Sequence, residues 1–387
     1  MTKKKDLGNN YYKSGWQPSI DFDEQAGTGE ITHVGQDPNY KSKFNEILKE
    51  WGFDPEIYEI EGSVKASSWN TQLKGGVVET FYAFKGIVKK KNPARDEWFD
   101  KLNKEISKKP KLKYKKHGGS TSFIFTLSDW QLGKTDYGVE NAVARLELAL
   151  ANAVQEIKNH NKLGNTIDAV YLLGLGDITE NCNSYYYDSQ AHNVSLNLKQ
   201  QYHLARKLII RCVDTFLPMV DKIFVHAIPG NHGDMTRSSK GGVLTSRLDN
   251  SDTMHFEIVG EILANNDRYK KVTVDVSKDF HQNITIHGHT ACIIHGHMAG
   301  GQGGGPAGKI MNWWKGQMAG NLEPGDASIL ISGHYHHFES IYQNRLWVQC
   351  PSLDMADDFT ARTGLWSEPG VLTMTINKDG WDNLKIL

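Results

Sequence analysis

The chain has 387 residues, with 44 basic and 45 acidic side chains and a hydrophobic content of 39%. That length holds one large domain and a smaller one, and no run approaches the ~20 apolar residues of a membrane span, so no membrane partner is expected. Four widely spaced cysteines (Cys182, Cys212, Cys292, Cys350) without a C-x-x-C pair exclude a zinc ribbon, a dithiol redox motif and a disulfide framework.

A reducing cytoplasm is therefore the expected location, and the polar stretch at residues 1–10, with no apolar segment behind it, reads as no signal peptide. The charge is uneven. Residues 1–117 carry 22 basic against 17 acidic side chains, the remainder 22 against 28.

Residues 1–29 are polar and rich in Gly, Asn and Asp, and are expected to form a tail or irregular cover. Residues 30–107 read as a small α+β accessory domain. Within it, residues 42–51 set Phe44, Ile47, Leu48 and Trp51 at helical spacing, with Gly52 and Pro55 as the stop. Residues 77–88 are β-branched and aromatic and read as a strand after Gly75-Gly76; residues 94–107 read as a helix. Trp69 and Trp98 read as packing residues in preference to base-stacking platforms. Residues 85–116 hold 13 basic and 4 acidic side chains, either a solvated face or a patch for a polyanion. Residues 108–119, with Pro110 and Gly118-Gly119, read as a linker.

Over residues 120–387 strands and helices alternate. A strand is predicted over 121–127, and an amphipathic helix over 141–157 with Val143, Leu146, Leu150, Val154 and Ile157 on one face. A buried strand (169–175), a long helix (194–216), a strand (222–228) and a helix (253–263) follow. Short strands come next, over 272–276, 283–286, 291–294, 329–332, 345–349 and 371–376. Alternation followed by a run of strands predicts a layered α/β sandwich in preference to a barrel.

Five of these strands end in candidate ligands: Asp129-Trp130-Gln131, Gly176-Asp177, Gly230-Asn231-His232-Gly233-Asp234, His295-Gly296-His297 and Gly333-His334-Tyr335-His336. The carboxyl ends of α/β strands are where ligands bind. In the last motif an extended backbone would set His334 and His336 on one side and His337 on the other. Two carboxylates, two amide oxygens and several imidazoles, with no thiolate, suit Mn²⁺, Fe²⁺ or Zn²⁺ better than Ca²⁺ or a structural zinc. Asp177 is a candidate bridge between two ions about 3.5–4 Å apart.

In this order the five motifs resemble those of the calcineurin-like metallophosphoesterases, over residues 120–387. Residues 181–216, 298–320 and 351–371 are further similar to a phage-encoded branch related to double-strand-break repair nucleases of SbcD type. The resemblance implies a four-layer α/β/β/α sandwich with two divalent ions, Mn²⁺ first, with Fe²⁺ or Zn²⁺ as alternatives. It implies one ion on Asp129, Gln131, Asp177 and His336, and the other on Asp177, Asn231, His295 and His334. His232 would stand outside them and protonate the leaving oxygen as general acid. Two departures stand out. Gln131 occupies a position where the family has His, which predicts a looser first ion. Gly233 separates His232 from Asp234, which predicts that Asp234 misses its usual role in orienting groups around the site.

A second His-Gly-His, His287-Gly288-His289, precedes a strand and reads as a turn between antiparallel strands, so His295 is preferred as the ligand. The glycine-dense residues 300–308 read as a flexible connection or a substrate-covering loop. Lys309, Trp313, Trp314 and Lys315 behind it are suited to phosphates and bases. Lys309 is followed by Ile310, which excludes a phosphate-binding G-x-x-x-x-G-K-[ST] loop. Asn181, Gln190, Arg237, His297 and Lys309 are the expected substrate contacts.

The expected activity is metal-dependent phosphodiester hydrolysis, with DNA before RNA as the nucleic-acid partner and a second copy or an ATPase as a protein partner. The branch implies the host cytoplasm. The alternatives are a phosphodiesterase for small or cyclic nucleotides and a non-catalytic metal-containing binding protein. Repair nucleases of this type carry a capping domain after the last motif; here the accessory domain is expected to serve, or the substrate is smaller.

Overall fold

The apolar runs that end in candidate ligands become the central strands of two sheets. The computed structural model describes residues 12–23, 28–72, 76–91, 93–110, 112, 116–135, 138–182, 194–236, 246, 248–300, 304–354 and 364–387. The chain divides into two compact units, Met1–Leu102 and Asn103–Leu387.

The first unit holds β1 (Ser19–Asp23), β2 (Thr28–Gly35), α1 (Phe44–Glu50), β3 (Tyr58–Gln72) and β4 (Val78–Lys90), and α2 (Pro93–Ile106) crosses the division. Its sheet is antiparallel, in the order β1-β2-β4-β3. Ile47 and Leu48 of α1 are buried with Ile31, Phe84 and Val88 of the sheet. Ser19–Asp23 corrects the expectation of an irregular cover: S-I-D-F-D alternates, and Ile20 and Phe22 pack against that core, as a half-buried strand requires. Trp69, expected to pack, stacks on buried Phe81 with ring centroids 6.1 Å apart.

The second unit contains β5 (Thr121–Leu127), α3 (Val139–Lys162), β6 (Ile167–Gly174), α4 (Leu198–Phe216), β7 (Lys222–Ala227), α5 (Ser251–Ala264) and β8 (Val272–Val276). It continues with β9 (His281–Ile286), β10 (His289–Ile294), α6 (Gly305–Ala319), β11 (Ile329–Ser332), β12 (Glu339–Tyr342), β13 (Leu346–Gln349), β14 (Leu372–Asn377) and β15 (Gly380–Ile386). One sheet runs β15-β14-β5-β6-β7-β8, the other β12-β13-β11-β10-β9. β5 to β8 are parallel, as are β10, β11 and β13.

Alternation within each strand builds the layers. Ile124, Tyr171, Leu173 and Met374 from the first sheet meet Ile293, Ile329, Ile331 and Val348 from the second in one core. The opposite residues of the second sheet, Cys292, Ile294, Leu330 and Trp347, pack on Ile310 and Trp314 of α6. On the outer side of the first sheet, Phe123 and Phe125 meet Phe216 of α4. The described residues of the second unit thus form a four-layer α/β/β/α sandwich, which fits the layered fold expected from the sequence. The helix α6 takes up Gly305–Gly308, the end of the expected glycine-rich loop, and residues 301–303 of that loop lie outside the described residues. Pro306 opens the helix, a position where its fixed φ favours a helix start. Ile310 and Trp314, one turn apart, anchor it. The helix expected from residue 194 starts at Leu198, because Asn197 and Gln200 close a reciprocal capping box there.

His255 of α5 is fully buried, edge-to-face on Tyr202 at 4.8 Å, and neither ring nitrogen has a hydrogen-bond partner among the described residues. Burial, with a smaller push from the Arg206 charge, depresses its pKa to about 3. The folded state therefore keeps His255 neutral while the unfolded chain protonates it below about 6.5, so stability falls as pH drops below that value. His255→Phe is expected to flatten this dependence: its thermal midpoint should exceed that of the parent at pH 5 by more than at pH 8.

Candidate metal centre

The site is built where β5, β6, β7, β10 and β11 end. Among its non-glycine residues Asp129, Gln131, Asp177, Asn181, His334 and His336 all have φ between 42° and 79°, a left-handed region that such side chains rarely adopt. The backbone thus reverses sharply just past β5, β6 and β11. Two glycines permit the close approach. A Cβ on Gly176 would lie 2.5 Å from the Cα of Gly230, and one on Gly333 would lie 2.5 Å from Ser128 Oγ and 2.8 Å from Asp129 Oδ2.

Asp129 and Asp177 sit at the centre, 0% and 1% exposed. Burial opposes their ionisation, but the surrounding imidazoles outweigh it, His336 for Asp129 and His295 and His232 for Asp177, and both carboxyls are held below the usual range. Asp129 accepts from the His334 backbone N–H (3.0 Å to Oδ2) and from Ser128 Oγ, and its Oδ1 lies 3.4 Å from His336 Nε2. Asp177 Oδ1 accepts from the His232 N–H at 2.8 Å. Asp177 Oδ2 is buried and accepts no well-formed hydrogen bond from the described residues, although His295 Nε2 stands 3.0 Å away.

His295 explains that arrangement. Its Nδ1 lies 2.7 Å from the Leu175 carbonyl, which only accepts, so Nδ1 carries the proton. Nε2 then faces two oxygens, Asp177 Oδ2 and Asn231 Oδ1, each 3.0 Å away. Burial disfavours charge on His295, yet Asp177 and Asp129 raise its pKa to about 9. An imidazole nitrogen, a carboxylate oxygen and an amide oxygen thus converge in a dry place on one positive charge, supplied by a proton on Nε2 or by a cation that displaces it. His334 joins the group: one ligand atom each from Asp177, His295 and His334 all lie within 4.8 Å of one another. Burial and the neighbouring His295 push His334 down to about 3, leaving its ring neutral. The donor set fits a divalent metal ion.

The backbone course of the last motif differs from the expected one. β11 stops at Ser332, and both His334 and His336 are left-handed, so they reach different carboxylates through turns and not through strand parity. The loop is fixed from below by Gln349, whose Nε2 donates to the Gly333 carbonyl (2.5 Å) and whose Oε1 accepts from Ser332 Oγ (2.9 Å). His337 contacts the Tyr335 carbonyl and Glu339. His287 and Gly288, with φ of 50° and 89°, form the two-residue turn joining β9 to β10, a type I′ pattern.

The remaining expected residues are placed as follows. Gln131 Oε1 lies 3.3 Å from Lys134 Nζ, and its Nε2 3.4 Å from His232 Nε2. Lys134 also pairs with Asp354. Asn181 Nδ2 donates to the His232 carbonyl (2.6 Å) and Ser251 Oγ, and its Oδ1 accepts from Tyr202. It holds the His232 loop in position. His297 lies beside the centre, with ring centroids 5.3 Å from His295 and 6.2 Å from His334. Lys309 sits on α6. Gln190 and Arg237 lie outside the described residues.

Two buried acids carry the site without belonging to any motif. Glu180 Oε2 stands 3.2 Å from His232 Nδ1. Burial opposes charging His232, but Glu180 and then Asp177 raise it to about 10, so this imidazole is protonated near neutrality, with Nε2 4.0 Å from Asp177 Oδ2. Asp252, at the start of α5, accepts the backbone N–H groups of Asp177 (2.8 Å), Ile178 (2.9 Å) and Gly230 (3.2 Å). It ties two motif loops together. Asn250 supports it, accepting from the Asp252 N–H and donating to the Gly230 carbonyl and Asp234 Oδ1. The signal in sequence was faint: an acid three residues after Asp177, and an Asn-Ser-Asp start to a helix.

The layer order and the five ligand loops define a four-layer α/β/β/α sandwich with a metal-competent centre. No protein-family profile matches the chain, and no curated protein matches it. Among solved structures it is similar to vacuolar protein sorting 29 of Cryptosporidium parvum, at 11% identity and a TM-score of 0.28, covering 67% of this chain and 86% of that one. Vps29 of Entamoeba histolytica complexed with Zn²⁺ aligns at 12% identity and 0.30, over 68% and 97%. A protein of unknown function from Aquifex aeolicus aligns at 15% and 0.21, over 55% and 78%. Scores this low carry no argument about activity, which rests on the site itself.

Asp252→Ala would strand three buried backbone donors, each costing about 1–3 kcal/mol. The variant is expected to lose at least about 3 kcal/mol in denaturant unfolding, and a loss below 1 kcal/mol would contradict the role given to it.

Proposed function

We propose that the chain is a divalent-metal-dependent phosphodiester hydrolase of the calcineurin-like metallophosphoesterase superfamily, acting on DNA. The observation that carries the hydrolase reading is the convergence of Asp177 Oδ2, Asn231 Oδ1 and His295 Nε2 beside a protonated His232–Glu180 pair. Asp177, Asn231, His295 and His334 would hold one ion, and Asp129, Gln131, His336 and Asp177 a second, with Mn²⁺ the first choice. Bound ions of this kind supply Lewis acidity and a hydroxide near neutral pH.

The chain's own residues supply the rest. Glu180 holds the His232 ring and favours its charged form. His232 Nε2 then offers a proton to the departing alkoxide, which cannot leave unprotonated when its parent alcohol is a weak acid. Asn181 and the Asp177 carboxylate fix the His232 backbone from two sides. Gln131 brings a neutral amide where an imidazole is usual, and its oxygen is shared with Lys134, which favours looser retention of the second ion.

The DNA assignment draws on the 13 basic residues within residues 85–116 and on the resemblance to the phage repair branch. Counterion release makes such binding salt-sensitive, so hydrolysis of linear DNA with Mn²⁺ is expected to fall steeply between 50 and 200 mM salt. Hydrolysis of a cyclic nucleotide that is insensitive to salt, without action on DNA, would select the small-nucleotide reading instead.

His232→Ala is expected to lose about 10²–10⁴-fold in kcat on diesters with poor leaving groups while keeping its metal. Glu180→Gln removes the largest group raising the His232 pKa. The acid must be protonated to act, so the basic limb of the kcat–pH profile should move to lower pH. An unmoved limb would remove Glu180 from this role.

A further inference from the structure

A cavity of about 230 Å³ opens beside the metal centre, lined by Asp279 and Phe280 before β9, His297 and Met298 after β10, and Trp313 and Gln317 of α6. His295 belongs to both places: its ring faces Asp177, and it also forms part of the cavity wall. His297 stands in the shared wall, 6.2 Å from the His334 ring and edge-to-face with Phe280 at 5.6 Å. The described mechanism uses none of Phe280, Trp313 and Gln317.

We infer that this cavity is a nucleobase subsite, taking the base of the nucleotide that flanks the scissile phosphodiester; the inference rests on the phosphodiester-hydrolase reading. Size is the first reason. Clefts that enclose a whole drug-sized ligand measure roughly 300–1,000 Å³, so this one suits a single ring system attached to something held outside. The walls are the second. Phe280 and Trp313 offer π-faces, on which any base stacks, while the Gln317 amide and the Asp279 carboxylate offer donors and acceptors to a base edge. The third reason is the spacing along α6. Lys309, Trp313 and Gln317 recur every four residues and so share one face of the helix. That face runs from an ammonium suited to a phosphate, through an aromatic ring, to an amide.

The test compares two esters on the Mn²⁺-loaded full chain: thymidine 5′-(p-nitrophenyl) phosphate and the same ester of a deoxyribose lacking its base. The ratio of their kcat/KM values reads the base contact and is independent of the folded fraction. In the parent protein the ratio is expected to be about tenfold or more. It should approach one in Trp313→Leu, which keeps apolar volume without a ring, and persist in Trp313→Phe. A ratio near one in the parent, or an unchanged ratio in Trp313→Leu, overturns the subsite. If the parent cleaves neither ester, the hydrolase reading fails, and the cavity is then judged by calorimetry with thymidine 5′-monophosphate against deoxyribose 5-phosphate. Tighter binding of the base-bearing ligand, lost in Trp313→Leu, supports the subsite, and equal affinities overturn it.

Discussion

Two carboxylates buried within one site are the constraint on which this molecule turns. A charge removed from water is strongly destabilising unless other charges and hydrogen bonds compensate it. Asp129 and Asp177 are nearly inaccessible, and the residues around them are the compensation: four imidazoles, two amides and a series of backbone N–H groups. Even so, Asp177 Oδ2 lacks a well-formed hydrogen bond from the described residues, and the imidazole nitrogen beside it faces two oxygens at once. The two carboxylates draw positive charge to that point, carried by the His295 and His232 rings as protons, and a divalent cation would take the place of the proton on His295 Nε2.

Holding such a site open requires strain elsewhere to be overcome. Six non-glycine residues of the motif loops are left-handed, a conformation of order 1–3 kcal/mol each when unsupported. The support is a buried polar scaffold beneath the loops. Asp252 gathers three N–H groups, Asn250 links two further backbone positions, Asn181 clamps the His232 loop and Gln349 holds Gly333. These residues hold the candidate ligands in place, which is what a preorganised centre demands. They also explain the close glycine contacts, since the loops are drawn to within a Cβ radius of each other.

Much of the large unit was readable from its residues because its physics is local. Apolar runs such as Ile329–Ser332 are buried on both faces, and the helices of the first sheet show a clear 3.6-residue period, as in Val143, Leu146 and Leu150. The motif side chains sit at strand ends, where the topology brings them together. What escaped was set by partners distant in sequence. β3 has few apolar residues and exists because β4 pairs with it over most of its length. The helix α6 was masked by its glycines, whose low propensity is outweighed by Ile310 and Trp314 packing on the second sheet. Glu180 and Asp252 look like surface acids until the fold buries them. Parity in an extended chain could not describe His334 and His336, because the close approach of Gly333 to Asp129 bends the backbone there.

The functional account reduces to whether the Asp177 cluster is a metal site. The direct measurement is the number of divalent ions bound per chain, by equilibrium dialysis with Mn²⁺ after chelation, in the parent and in Asp177→Asn. The variant keeps the size of the side chain and removes its charge. At least one tightly held ion is expected in the parent and its loss in Asp177→Asn, with the fold intact by circular dichroism. No bound ion in the parent, or equal binding in both, would contradict a metal site there.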